Sequence, residues 1–255
     1  MLPGRGQFLT ITYSTETPAS LATPFPPGGI AVVFGASGGI GSALVSRLGA
    51  QSGFSMVAGY SRSSAVALDL GDESSIEAVA ADVRRSGLEP RLLIDATGIL
   101  EGEGCIAEKS WRQLDPAAMA RAFAVNAIGP ALLMKHFLPM LPRLGKSVFA
   151  TLSARVGSIG DNRLGGWYSY RASKSALNQI VRTASIELRR SRPDAICVAL
   201  HPGTVATPLS ARFAKSGLEV QSPDTAATRI LAVLDSLQAE SSGEFFDQQG
   251  RSIQW

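Results

Sequence analysis

Cysteine and histidine are scarce in this chain, and neither is spaced for metal binding. Cys105 and Cys197 sit in unrelated contexts, and His136 and His201 are the only histidines. A zinc site is therefore not expected. Two isolated cysteines point to reduced thiols and a cytoplasmic protein. Long apolar runs are missing too, since none reaches the roughly 20 residues that a spanning helix needs. An excess of one charge is also lacking. Lys and Arg number 24 against 21 Asp and Glu, a formal charge of +3. The small basic groups at Arg84-Arg85 and at Arg189, Arg190 and Arg192 read as solvated helix ends, not a nucleic-acid surface. Neither nucleic acid nor membrane is an expected partner.

The remaining composition is that of a globular protein. Hydrophobic residues make up 45% and charged ones 18%, which excludes a disordered chain. The first 28 residues are rich in Pro, Gly, Ser and Thr. They lack the basic start and apolar run of a signal peptide and read as a flexible or loosely ordered extension. Gln7–Tyr13 alternates weakly, as a short strand would. Residues 29–255 read as one domain.

From Ile30 onward strand and helix alternate, which argues for an α/β fold with a doubly wound parallel sheet. Strands are expected at Ile30–Phe34, Ser55–Tyr60, Val66–Leu70, Leu92–Ala96, Ser147–Leu152, Ala195–Leu200 and Glu244–Asp247. Between them lies a helix from about Ile40 to Leu48. A second carries Ile76, Val79, Ala80 and Val83 at helical spacing, with Asp72 or Ser74 as cap and Gly87 as stop. A long helical stretch covers about 116–141 and another about 169–190. Ser222-Pro223 opens a last helix to about Leu237.

Residues 35–41 read Gly-Ala-Ser-Gly-Gly-Ile-Gly. A strand ending at Phe34 must turn sharply into a helix there, and glycine permits both the turn and a close approach by a diphosphate. The helix N-terminus then offers free N–H groups to an anion. Both Gly35-x3-Gly39-x-Gly41 and Gly35-x2-Gly38-x2-Gly41 fit the string. Residues 170–174 read Tyr-Arg-Ala-Ser-Lys. The phenol and the ammonium are four apart, on one face of a helix. Such a pair can move a proton at a carbonyl oxygen while a nicotinamide moves a hydride. At the end of the second strand the chain reads Gly59-Tyr60-Ser61-Arg62-Ser63, and residues 53–68 hold no Asp or Glu. An acid there would bind the ribose hydroxyl of NAD. Arg62, with Ser61 and Ser37, suits a 2′-phosphate instead, so NADP(H) is expected over NAD(H).

Taken together, these strings resemble the short-chain dehydrogenase/reductase family from about residue 30 to the end. The segment Ser153–Asn178 resembles the subgroup of C-factor proteins and sniffer-like carbonyl reductases, as does the ending Gly243-Glu-Phe-Phe-Asp…Trp255. The resemblance implies a Rossmann-type fold and a nicotinamide cofactor. Gly35, Ser37, Gly39, Ile40 and Gly41 would surround the phosphates. Asp69-Leu70 would hold the adenine. Ala96-Thr97-Gly98 would line the ribose, in a string that departs from the family's Asn-Asn-Ala-Gly. Pro202, Gly203, Val205 and Thr207 would pass the carboxamide. Tyr170 is the implied proton donor and acceptor, and Lys174 would lower its pKa and reach the ribose. Asn126 reads as a packed helix residue by itself; the resemblance gives it a relay water to hold. The family's carbonyl-polarising serine stands three residues before a glycine. Counting back from Gly157 gives Ala154, so Ser153 takes the role, with Ser158 as the alternative.

The expected substrate is a small carbonyl or alcohol with an apolar body, lined by Ile99, Leu100, Trp167, Leu209 and Phe213. A homodimer or homotetramer is the expected assembly. Two other functions stay open on the sequence: a dinucleotide-binding signalling or sensor protein, and an epimerase or dehydratase.

Overall fold

The computed structural model describes residues 25–50, 53–102, 104–207 and 220–255. Gln7–Tyr13, Leu209 and Phe213 lie outside them. Five buried residues, Ile30–Phe34, form the first strand (β1). Ile30, Val32 and Phe34 face one apolar cluster and Ala31 and Val33 the other, because successive strand residues point to opposite sides. A strand buried on both faces in this way belongs at the centre of a parallel sheet.

The other strands are Met56–Tyr60 (β2), Pro90–Asp95 (β3), Ser147–Leu152 (β4), Ala195–His201 (β5), Thr204–Val205 (β6), Val220–Gln221 (β7) and Phe245–Asp247 (β8). Six of them form one parallel sheet in the order β2-β1-β3-β4-β5-β8, and β6 and β7 pair separately. Helices Gly39–Gly49 (α1) and Pro223–Ser236 (α6) cover one face. Glu73–Arg85 (α2), Gly129–Phe137 (α4) and Tyr168–Ser191 (α5) cover the other, and Pro116–Phe123 (α3) leads into α4. This is the doubly wound α/β domain that the alternation implies.

Local signals act as expected at several helix starts. Asp72 caps α2 by accepting from Ser74 N, and Gly87 ends the turn after it at φ +68. Ser222 caps α6 by accepting from Thr225 N at 3.0 Å, with Pro223 in the first turn.

Two expectations are corrected. Val66–Leu70 is not a strand, and the sheet has six members. Only residues 61–65 separate it from β2, whereas a parallel neighbour needs a crossover of about a dozen residues or more. The segment folds back instead, with Leu68 N donating to Ser61 O. The stretch 116–141 is not one regular α-helix either. A π-helical turn at Ala124–Ile128 separates α3 from α4. Pro130 has no N–H to give the Asn126 carbonyl, which opens the helix at that point. Pro116–Met140 is long and apolar enough to cross a membrane by length and composition. Its Leu133, Met134 and Phe137 are, however, spent on the core.

Candidate active site

Loops at the carboxyl ends of the strands meet where the strand order reverses, between β1 and β3. In open α/β sheets that crevice is where ligands bind. Gly35 turns the chain at φ +81, and the Gly35 and Ala36 amides both donate to Tyr60 O. A Cβ on Gly41 would lie 2.1 Å from Gly35 O, so α1 starts hard against the turn. A Cβ on Gly39 would meet Thr207 Cγ2 at 2.9 Å, whereas one on Gly38 would come no nearer than 3.3 Å to Gly35 O. The first glycine register is the one the fold enforces. Ser37 is exposed and Ile40 half-buried. α1 has no side-chain cap and no acid in its first turn, so no side chain of that turn opposes an anion.

The neighbouring loops complete the crevice. Ala96 and Thr97 come within about contact distance of Gly35, since a Cβ on that glycine would sit 3.0–3.1 Å from them. Ser61 is buried in a serine-rich turn, bonded to Ser63 and Ser64, and Arg62 beside it is exposed. Asp69 accepts from Gly71 N, and Leu70 packs on Gly129 of α4. After β5, Gly203 turns at φ +79, Pro202 O accepts from Gln221, and Val205 is buried in β6. The residues present fit a dinucleotide: a glycine cradle that side chains would fill, an open helix end, and no carboxylate among residues 53–68.

Tyr170 and Lys174 stand one turn apart on α5, with the Lys174 ammonium 6.0 Å from the phenol ring centre. Lys174 Nζ donates to Leu152 O at 2.8 Å. Asn126, in the π turn, accepts from Ile99 N and donates to Ile99 O, both at 2.8 Å, and donates to Ser173 at 3.1 Å. Gly98 lies over both groups: a Cβ there would be 3.4 Å from Asn126 Oδ1 and 3.5 Å from Lys174 Nζ. Tyr170, Lys174, Asn126 and Gly98 therefore share one locus. Burial pushes the Tyr170 phenol up to about 12. It pushes Lys174 down to about 8, opposed by the charge of Asp95.

Ser153 and Ser158 fall elsewhere. The Ser153 hydroxyl donates to Asn178 Oδ1 at 2.6 Å, two helical turns beyond Tyr170. The Ser158 hydroxyl donates to the Gln254 carbonyl near the C-terminus. Neighbouring residues at a strand end face opposite ways, and Ala154 takes the half-open side. Of the expected pocket lining, Leu100 is buried, while Ile99 and Trp167 are half-buried. The Trp167 ring stands edge-on to Tyr170 at 6.2 Å.

Three residues of the site escaped the sequence reading. Asp95 is fully buried and accepts from Thr97 N, Thr97 Oγ1 and Thr151 Oγ1. It fixes the β3 loop from below, so an acid serves where the family string has Asn. Arg171 and Glu108 brace the start of α5. Arg171 was visible within Tyr-Arg-Ala-Ser-Lys, whereas nothing local marks Glu108.

Comparison with known proteins agrees with this geometry. The family model for short chain dehydrogenase matches residues 29–218. The C-signal protein of Myxococcus xanthus is 40% identical over 143 residues, which are 56% of this chain and 81% of that protein. An NADPH-bound carbonyl reductase from chicken fatty liver superposes with a TM-score of 0.79 at 28% identity, over 91% of this chain and 96% of its own. The carbonyl reductase Sniffer of D. melanogaster gives 0.77 at 23% identity, covering 90% and 100%, and so shares the fold. With its glycine cradle, its Tyr170–Lys174 helix and a family match over most of its length, the chain is a member of the short chain dehydrogenase family of nicotinamide-dependent oxidoreductases.

Proposed function

We propose that this protein transfers a hydride between NADP(H) and the carbonyl or alcohol of a small, apolar substrate, with Tyr170 handling the proton. The observation that carries the reading is the convergence of Tyr170, Lys174, Asn126 and Gly98 beside the glycine cradle. A bound nicotinamide supplies or accepts the hydride. At neutral pH a phenol raised to about 12 by burial is protonated, which suits a donor to a carbonyl oxygen. Lys174, lowered to about 8, still carries its charge there. It favours the phenolate that forms when the proton leaves. Asn126 holds the β3 loop through both the oxygen and the nitrogen of its amide, which keeps Ile99 and Gly98 fixed above the ammonium. A cytoplasmic location belongs to the same reading; Cys105 and Cys197 are buried and form no disulfide.

The test is incubation with NADPH and a panel of aldehydes, ketones and quinones. NADPH consumption with an apolar carbonyl is expected. Tight NADPH binding without turnover on any of them would favour the sensor reading, for which the similarity to C-signal speaks. A redox-neutral change of substrate would favour an epimerase.

Cofactor preference rests on Arg62 and on the lack of an acid among residues 53–68. A charge-assisted contact contributes roughly 1.5–3 kcal/mol, and about 1.4 kcal/mol is tenfold in binding. NADPH is therefore expected to bind roughly ten- to a hundredfold tighter than NADH. Arg62→Ala removes most of that difference by weakening NADPH alone. Dissociation constants for both cofactors at fixed, moderate salt check this. Equal wild-type affinities would return Arg62 to the role of a surface residue.

The serines have a different expectation. With its hydroxyl on Asn178, Ser153 braces β4 against α5. Ser153→Ala should lower turnover far less than the roughly hundred- to thousandfold typical of a lost oxyanion donor, and Ser158→Ala likewise. Steady-state kinetics of the two variants decide. A loss on that scale in Ser153→Ala alone would give the polarising role to Ser153.

A further inference from the structure

We propose that Glu108 is a positioning residue for Tyr170, acting as the N-terminal cap of α5 from the loop that follows β3. The inference rests on the reading of Tyr170 as proton donor. α5 brings no cap of its own: Trp167 precedes it, no side chain there accepts a first-turn amide, and that turn holds no acid. Such amides need acceptors when buried. Glu108, 61 residues upstream of Ser169, supplies them. Both of its carboxylate oxygens accept from Ser169 N, at 3.3 and 3.2 Å, and the Ser169 hydroxyl donates to Oε1. Its backbone carbonyl accepts from Trp167 N at 2.5 Å. Glu108 is 1% exposed. A buried carboxylate is costly unless hydrogen-bonded, and the α5 N-terminus gives it amides and a favourable dipole.

The capped amide belongs to the residue immediately before Tyr170. The approach to it is an unusual piece of backbone. Gly165, Gly166 and Trp167 are all left-handed, at φ +63, +68 and +53. L side chains disfavour that region, so Trp167 stays there only because its surroundings hold it. Arg171 grips one side, donating to the carbonyls of Gly166, Gly165 and Val156. Glu108 grips the other, through Trp167 N and Ser169. The same loop is tied to Asn126 at Ile99. It thus spans from the relay asparagine to the helix that carries the phenol. Without the carboxylate, the first turn of α5 loses its acceptor at Ser169, and only the backbone bond from Trp167 N to Glu108 O still ties that turn to the loop. The phenol then loses its fixed position, while the cofactor cradle is untouched.

The experiment compares Glu108→Ala and Glu108→Gln in the full chain. It measures kcat and KM on a carbonyl that the wild type reduces, NADPH affinity, and hydrogen exchange at the amides of residues 168–170. Displacement of a reacting group by about an ångström costs up to roughly a hundredfold. Glu108→Ala should therefore lower kcat by about tenfold or more, leave NADPH affinity unchanged, and speed exchange at Ser169 and Tyr170. Glu108→Gln keeps an oxygen for Ser169 N and should recover most of both. Wild-type kcat and protection in Glu108→Ala would overturn the proposal. So would a loss confined to KM for the carbonyl, or loss of NADPH binding or folding in both variants. The exchange measurement stands without turnover. If the wild type reduces no carbonyl, faster exchange in Glu108→Ala upholds the cap and retires only the reductase reading. Unchanged exchange overturns the cap itself.

Discussion

Tyr170→Phe is expected to bind NADPH as the wild type does and to reduce a confirmed carbonyl substrate at least about a hundredfold more slowly, the scale of a lost general acid. The ring is kept, so its edge-on contact with Trp167 and the packing of α5 survive. Only the hydroxyl that could hand over the proton is removed. The pH profile gives a second handle. Burial raises the phenol to about 12 and lowers Lys174 to about 8. As pH rises, Lys174 loses its charge first and the phenol keeps its proton. Wild-type reduction should therefore fall above about pH 8, when the ammonium no longer supports a developing phenolate. Single-turnover rates with preloaded NADPH would show both effects. Undiminished turnover in Tyr170→Phe would remove Tyr170 from the chemistry.

Gly41→Ala is expected to do the largest damage to cofactor binding. The added methyl would lie 2.1 Å from Gly35 O and 2.8 Å from Gly35 C. Both are backbone atoms of the turn itself, so no flexible side chain can move aside. Overpacking of this kind costs about 1–3 kcal/mol, sometimes more. Here the strain falls on the groups that would face a diphosphate. NADPH affinity should drop by at least about tenfold, with a lowered melting temperature. Gly38→Ala is the control. Gly38 has φ −75, and its nearest obstacle stands at 3.3 Å. That variant should remain within about 0.5 kcal/mol of wild-type stability and retain NADPH. Calorimetric titration and thermal unfolding of the pair measure this. Gly41 belongs to both registers, so the register itself is decided by Gly39→Ala: if Gly38→Ala lost more affinity than Gly39→Ala, the other register would be the working one.

Much of the fold could be read along the chain because its causes are local. Ile30–Phe34 is apolar at every position, as a strand covered on both faces must be. Asp72, Pro116 and Ser222-Pro223 mark helix starts through groups within three residues of the first turn. Tyr170 and Lys174 announce a shared face by a spacing of four, which needs only the helical repeat. The glycine turn was visible for the same reason, though its register was not. The choice between Gly38 and Gly39 depends on Thr207, which packs against Gly39 from the segment after β6.

Where the sequence misled, the deciding contact was distant or the connection too short. Val66–Leu70 has strand composition but lies five residues beyond β2, too near for a parallel crossover. The string around Ser153 does not show where its hydroxyl points, and the fold turns it to Asn178 on α5. Glu108 looks like any surface glutamate until the tertiary fold buries it against Ser169. By itself, then, the sequence determined most of the strands and helices, the glycine turn and the phenol–ammonium pair, because periodicity and capping act over a few bonds. Only the tertiary structure decided which hydroxyl faces which way, whether Gly39 can bear a methyl, and which carboxylate caps α5. Each of these depends on atoms brought together from segments tens to more than a hundred residues apart.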